Sequence, residues 1–180
     1  MNPLKERWIS YNLEKEIVIQ NPPTQPRFIL DGMLGSLARW LRLFGYDTLY
    51  SDTQSDDEIL DLIQDRVLLT RDIELIARAR AQGFKALNPG EGSVETMLES
   101  LQDKLGVRFT EDPNRSRCSQ CNTPVRLVPK EEVEGDVPEG SFKRHHKFWR
   151  CTNPACQKVY WQGRHWIRIR RILNQLGSNS

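Results

Sequence analysis

Arg27-Phe28-Ile29-Leu30-Asp31 and Val67-Leu68-Leu69-Thr70-Arg71-Asp72 decide the fold. Each is a short apolar run that ends at an aspartate. The second is apolar on both faces, the habit of a strand buried in a parallel sheet. What lies around them keeps one rhythm. Met33 to Phe44 carries Leu34, Leu37, Ala38, Leu41 and Phe44 at helical spacing and stops at Gly45. Asp47-Thr48-Leu49-Tyr50 reads as another strand, ending near Asp52. Ser55-Asp56-Asp57-Glu58 is a capping box, which opens a helix with Ile59, Leu60, Leu62 and Ile63 on its apolar side. A further helix runs from Ile73 to Gln82 and stops at Gly83, followed by a strand over Phe84 to Leu87. After the loop Asn88 to Gly92, Ser93 caps a last helix through Leu105, before Gly106. Strand and helix alternate, so the expectation is an α/β domain with a mostly parallel sheet.

In open α/β sheets, ligands bind beyond the carboxyl ends of the strands. Asp31, Asp52 and Asp72 end or closely follow three predicted strands, and Asp56 and Asp57 open a helix at that same end. Two unit charges about 4 Å apart cost roughly 4 kcal/mol at an effective dielectric of 20, so gathered carboxylates call for a cation. Oxygen ligands suit Mg²⁺ or Mn²⁺, which can activate water and stabilise a phosphoryl group under attack. Each acid also has a local structural use: Asp56 and Asp57 suit a helix N-terminus, and Asp72 can cap the helix after it. No glycine-rich dinucleotide fingerprint and no phosphate-loop motif follows any strand.

The chain has 180 residues and a net charge of +2, unevenly spread. Residues 1–112 hold 13 Lys+Arg against 19 Asp+Glu, whereas residues 113–180 hold 13 against 5. No acid follows Glu139, a tail that favours a polyanionic partner. The apolar runs are far too short to span a bilayer, and residues 1–10 lack the apolar core of a secretory signal, so the expected location is the cytoplasm.

That compartment keeps thiols reduced, and four cysteines there point to metal before disulfide. Cys118-Ser119-Gln120-Cys121 and Cys151-Thr152-Asn153-Pro154-Ala155-Cys156 are two knuckles with room for a hairpin between them. Four thiolates close a tetrahedral zinc site with no open position, so the zinc is expected to be structural. Such ions contribute about 10–16 kcal/mol in comparable peptides. A redox pair at Cys118 and Cys121 is the competing reading, and the second pair argues against it. His145, His146 and His165 are assigned to the basic surface. Phe148, Trp149, Tyr160, Trp161 and Trp166 interleave with Lys and Arg, a pattern that suits unpaired bases and phosphates. Trp149 and Trp161 are expected in the module's own core. The residues expected to face RNA are Arg39, Arg71, Lys143, Arg144, Arg164, Arg168, Arg170 and Arg171.

Phe28 to Asp47, Ser55 to Leu60 and Arg66 to Asp72 resemble the Mut-7 C-terminal RNase family. Phe148 to Cys151, Tyr160 to Trp166 and the four cysteines resemble its C-terminal half. The resemblance covers residues 27–172. It implies a PIN-like, three-layer domain followed by a small β-rich zinc ribbon, and cleavage of RNA with an acid-bound divalent metal. Asp31, Asp56 and Asp72 match the family's acids, Asp57 is an alternative to Asp56, and Asp52 is a further possible acid. PIN nucleases usually present three or four; Asn88 stands at the end of the fourth strand. The expected division is an N-terminal extension over 1–26, the nuclease domain over 27–110, a linker near Thr110 to Arg117, the ribbon over 115–172 and a flexible tail over 173–180. The expected activity is hydrolysis of RNA phosphodiester bonds. Its rivals are a non-catalytic adaptor on ribosomal or transfer RNA and a toxin-like nuclease held inactive by a partner.

Overall fold

The computed structural model describes residues 25–50 and 52–178. The expected N-terminal extension therefore lies outside the described residues, Gln25 and Pro26 excepted. Four parallel strands form the first sheet: β1 (Phe28–Leu30), β2 (Thr48–Tyr50), β3 (Val67–Leu69) and β4 (Ala86–Leu87), in the order β2-β1-β3-β4. The two runs that decided the fold are the central strands, and every residue in them is buried. Their pleat divides the interior in two. Phe28, Leu30, Val67 and Leu69 enter one core, while Ile29 and Leu68 enter the other.

The helices cover both faces, giving three layers. The Ile29 side carries α2 (Asp56–Leu62) and α3 (Ile73–Ala81), through Ile59, Leu60, Leu75 and Ile76. The Phe28 side carries α1 (Gly35–Leu43) and α4 (Val94–Leu105), through Leu37, Leu41, Leu98 and Leu101. The capping box at Ser55 forms as expected: Glu58 N donates to Ser55 Oγ, and Ser55 N donates to Glu58 Oε2 at 2.7 Å. Gly106 ends α4 in the left-handed region, φ +64°. Two boundaries differ from expectation. Gly32–Leu34 is a 3-10 turn before α1, because Asp31 accepts from Met33 N and tightens the chain there. β4 is two residues long, because Phe84 N closes the end of α3 by donating to Ala79 O.

Residues 110–117 do not hang free as a linker. Ser116 Oγ donates to Leu43 O and Arg117 N to Arg42 O, which ties the segment to carbonyls in the last turn of α1. Beyond them lies a three-stranded antiparallel sheet, β5 (Val125–Val128), β6 (Phe148–Cys151) and β7 (Val159–Trp161), in that order. The connection from β5 to β6 contains α5 (Glu139–Arg144). Within that connection Val133 and Val137 join Val128 and Phe148 in a small core.

The largest departure is at the C-terminus. Arg164–Ser178 is one helix, α6, and it belongs to the α/β domain's core, where Ile169, Ile172 and Leu176 are buried among the side chains of α1 and α4. Residues 173–178 of the expected flexible tail are its last turns. Apolar residues at 169, 172, 173 and 176 form a helical stripe, but a stripe does not say which core it enters.

Candidate functional site

At the carboxyl ends of β1 and β3 the chain leaves in opposite directions, from β1 to β2 at one edge of the sheet and from β3 to β4 at the other, which makes this the switch point. Asp31 follows β1 and Thr70 follows β3. Thr70 Oγ1 donates to Asp31 Oδ2 in a short hydrogen bond and accepts from Asp72 N at 3.0 Å. One hydroxyl thus joins Asp31 to the turn that carries Asp72. Asp31 Oδ1 accepts from Met33 N at 3.2 Å. Asp72 Oδ1 caps α3, accepting from Glu74 N at 2.8 Å and Leu75 N at 3.0 Å. The capping use noted for Asp72 is therefore real, and it also fixes that carboxylate at the sheet edge. Tyr50 Oη donates to Gly32 O, and its ring lies so close to Gly35 that a Cβ there would sit 2.7 Å from Tyr50 Oη.

Asp56 and Asp57 stand in the first turn of α2 and pair with Arg78 of α3. Asp56 Oδ2 is 3.4 Å from the guanidinium, and Asp57 makes a short contact with it. Asp52 is exposed. The structure thus brings Asp31 and Asp72 into one hydrogen-bonded unit and Asp56 and Asp57 into another around Arg78. Among the described residues, the one set of three or more Asp, Glu, His or Cys side chains whose ligand atoms come within reach of a single ion is the four cysteines. Thr70 and Arg78 were not singled out in the sequence. Thr70 enters the sequence reading only inside the Val67–Asp72 run and Arg78 does not enter it, because pairings across strands and helices leave no local signal.

The four cysteine sulfurs lie within 4.8 Å of one another and can hold a metal ion such as zinc. Cys118 and Cys156 Sγ are 3.6 Å apart, Cys121 and Cys151 Sγ 3.3 Å. A tetrahedron with metal–sulfur bonds of about 2.3 Å has edges of about 3.8 Å, and a disulfide needs about 2.05 Å. The spacing therefore fits the first and not the second. The knuckles are built alike. The residue after the second cysteine of each is left-handed, Asn122 at φ +64° and Gln157 at φ +52°. Backbone N–H groups two residues on bond Cys121 (from Thr123), Cys151 (from Asn153) and Cys156 (from Lys158), which favours thiolates. Burial pushes the Cys151 thiol up. Burial acts the same way on Cys121, but the hydroxyl and N–H of Thr123 outweigh it and hold that thiol below its ordinary value. A divalent cation removes this conflict among crowded thiols.

The ribbon docks at the amino ends of the strands, opposite the aspartates. Buried Arg42 donates to Thr48 O at 2.9 Å and to the knuckle carbonyls of Ser119 at 3.0 Å and Gln120 at 3.1 Å. Asn122 accepts from Thr48 N and donates to Asp47 Oδ1. Asp47 also pairs with Arg66 at 2.8 Å. Burial would raise its pKa, yet Arg66 and Asn122 hold the carboxyl well below the usual range. The expected RNA-facing residues divide by their partners. Arg168 pairs with Glu95, Arg170 with Glu111 and Lys143 with Glu139, and Arg71 donates to Gly90 O. Arg39, Arg144, Arg164 and Arg171 are exposed and make no ion pair among the described residues.

A four-stranded parallel α/β domain with aspartates at its switch point, followed by a four-cysteine ribbon, defines the class. The model of the Mut7-C RNAse domain family matches residues 26–173, and the chain belongs to that family. Comparison with curated proteins and with solved structures gave no match. No helix among the described residues is long and apolar enough to cross a membrane.

Proposed function

We propose that this protein is a metal-dependent ribonuclease that hydrolyses RNA phosphodiester bonds at the carboxyl edge of its parallel sheet. The observation that carries the reading is the Asp31–Thr70–Asp72 unit at the switch point. It holds two carboxylates on neighbouring elements, and the chain's family is an RNase-domain family. Mg²⁺ binds through one or two carboxylates and keeps several waters, so Asp31 and Asp72 are the pair that would hold such an ion; Asp56, the third acid of the proposed site, is paired with Arg78 in this structure and would reach the ion only by leaving it. When bound, Mg²⁺ or Mn²⁺ would lower the pKa of a water and stabilise charge on the phosphoryl oxygens. The chain's own part is positioning. Thr70 keeps Asp31 oriented, the first N–H groups of α3 fix the Asp72 carboxylate, and Arg78 pairs with Asp56 and Asp57. Met33 and Ile73, 70% and 79% exposed, flank the two acids and offer apolar contact to bases. Zinc held by Cys118, Cys121, Cys151 and Cys156 is structural.

The test is cleavage of labelled single-stranded and structured RNAs by purified protein with Mn²⁺, with Mg²⁺ and with neither, beside Asp31→Ala. Metal-dependent cleavage lost in the variant is the expected result. Cleavage that survives in Asp31→Ala removes the site assignment. One observation favours a second reading, a non-catalytic RNA-binding adaptor: Arg78 already neutralises Asp56 and Asp57. That reading requires salt-dependent binding without turnover in every metal.

A further inference from the structure

A cavity of about 970 Å³ opens where three parts of the molecule meet: β7 of the ribbon, the end of α5 and the first turns of α6. Its cations are Arg144, Lys158, Arg164 and Arg170, and none of its lining residues is Asp or Glu. Arg170 is paired with Glu111 behind the wall, whereas Arg144, Lys158 and Arg164 make no ion pair among the described residues. Such uncompensated charge around a concavity favours an anion. Trp161 and Trp166 add aromatic surface between the cations, and each is partly exposed.

We infer that this cavity is a subsite for a single-stranded segment of RNA, holding phosphates with Arg144, Lys158 and Arg164 and unpaired bases against Trp161 and Trp166. The inference rests on RNA being the ligand of this chain and adds where it is gripped and in what form. The volume is at the upper end of the roughly 300–1,000 Å³ of small-molecule pockets, room for a few nucleotides and not for a duplex. Duplex RNA is recognised by shape across its shallow groove, whereas splayed bases stack on aromatic side chains. The cavity adjoins the ribbon, which docks at the amino ends of the strands, so an RNA held there must run along the molecule to reach the aspartates. The subsite anchors the strand at a distance from the bond to be cut. The charge also fits an acidic protein segment, but such a segment brings no bases to the exposed parts of Trp161, which packs its other side on Phe148, and of Trp166, which packs on the α/β core and donates to Glu111.

The experiment measures fluorescence anisotropy of a short labelled single-stranded RNA and of its duplex, over a salt series. The full, zinc-loaded chain carries Asp31→Asn so that no RNA is consumed. Lys158 and Arg164 are exposed, so Lys158→Ala/Arg164→Ala leaves the cores intact. The expected result is tighter binding of the single strand than of the duplex. In the double variant, the single strand loses about tenfold in affinity and the salt slope falls by about 1.4. Lys85→Ala/Lys147→Ala removes as much charge outside the cavity and is expected to change neither. Equal losses in both double variants, equal affinity for the duplex, or displacement of the RNA by poly-glutamate as readily as by unlabelled RNA would each overturn the subsite. Binding is read without turnover, so failure here leaves the cleavage reading standing, and a wild type that binds here but never cleaves sinks that reading alone.

Discussion

Thr70 serves two aspartates with one hydroxyl, donating to Asp31 and accepting from the N–H of Asp72. It is fully buried, so water does not replace the partner that a substitution removes. Thr70→Val keeps the shape and deletes both bonds. Stability should fall by about 1–3 kcal/mol in urea unfolding. Outer partners of metal-binding carboxylates are typically worth about 10–100-fold in activity, and kcat should fall by that much with RNA affinity little changed. Thr70→Ser, which restores the hydroxyl, should recover most of the rate. A valine variant as fast as the wild type would show that Asp31 needs no such orientation.

At the scale of elements, the end of α1 is where the two sheets are joined. Gly45 has φ +92°, and a Cβ on it would lie 2.6 Å from the carbonyl oxygen of Arg115. That atom is backbone, in the segment whose Ser116 and Arg117 donate to carbonyls in the last turn of α1. A side chain would therefore meet both an unfavourable backbone conformation and a contact that cannot swing aside. Gly45→Ala should cost about 3 kcal/mol in urea unfolding, more than a surface change away from such a feature. An alanine variant within about 0.5 kcal/mol of wild type would mean the 110–117 segment gives way freely, as an ordinary linker would.

At the scale of the molecule, the chain leaves the α/β domain, builds the ribbon and returns as α6 to fill the first core. The ribbon thus lies between two segments that pack against each other. Its own cores are small, with Cys118, Val125, Trp149 and Cys151 buried in one and Val128, Val133, Val137 and Phe148 in the other. Metal removal should unfold the ribbon, free the Arg42 and Asn122 contacts and loosen α6 with it. Chelation under reducing conditions should lower the melting temperature of the whole protein as one transition, monitored by circular dichroism. An unshifted α/β transition beside a separate ribbon melt would show that α6 holds its core without the metal.

The local chemistry was legible in the chain. Apolar runs named the central strands because a strand buried on both faces admits no polar residue, as at Val67 to Leu69. Ser55, Ser93 and Gly106 marked helix ends because a cap is decided by neighbours three or four residues away. The cysteine knuckles named a metal centre because their spacing is itself the ligand geometry. Resemblance over residues 27–172 carried the family. What the tertiary structure decided were pairings between residues distant in sequence. Thr70 meets Asp31 across two neighbouring strands, and Arg78 meets Asp56 and Asp57 across two helices. Arg42 spends its charge on knuckle carbonyls that follow more than seventy residues later. Arg168 and Arg170 find Glu95 and Glu111, so the basic tail is partly neutralised where a count of its own residues shows only positive charge. The stripe of α6 announced a buried face and left its core unnamed, because hydrophobic burial is non-directional: a sequence specifies that a face must leave water, and only packing selects what it meets.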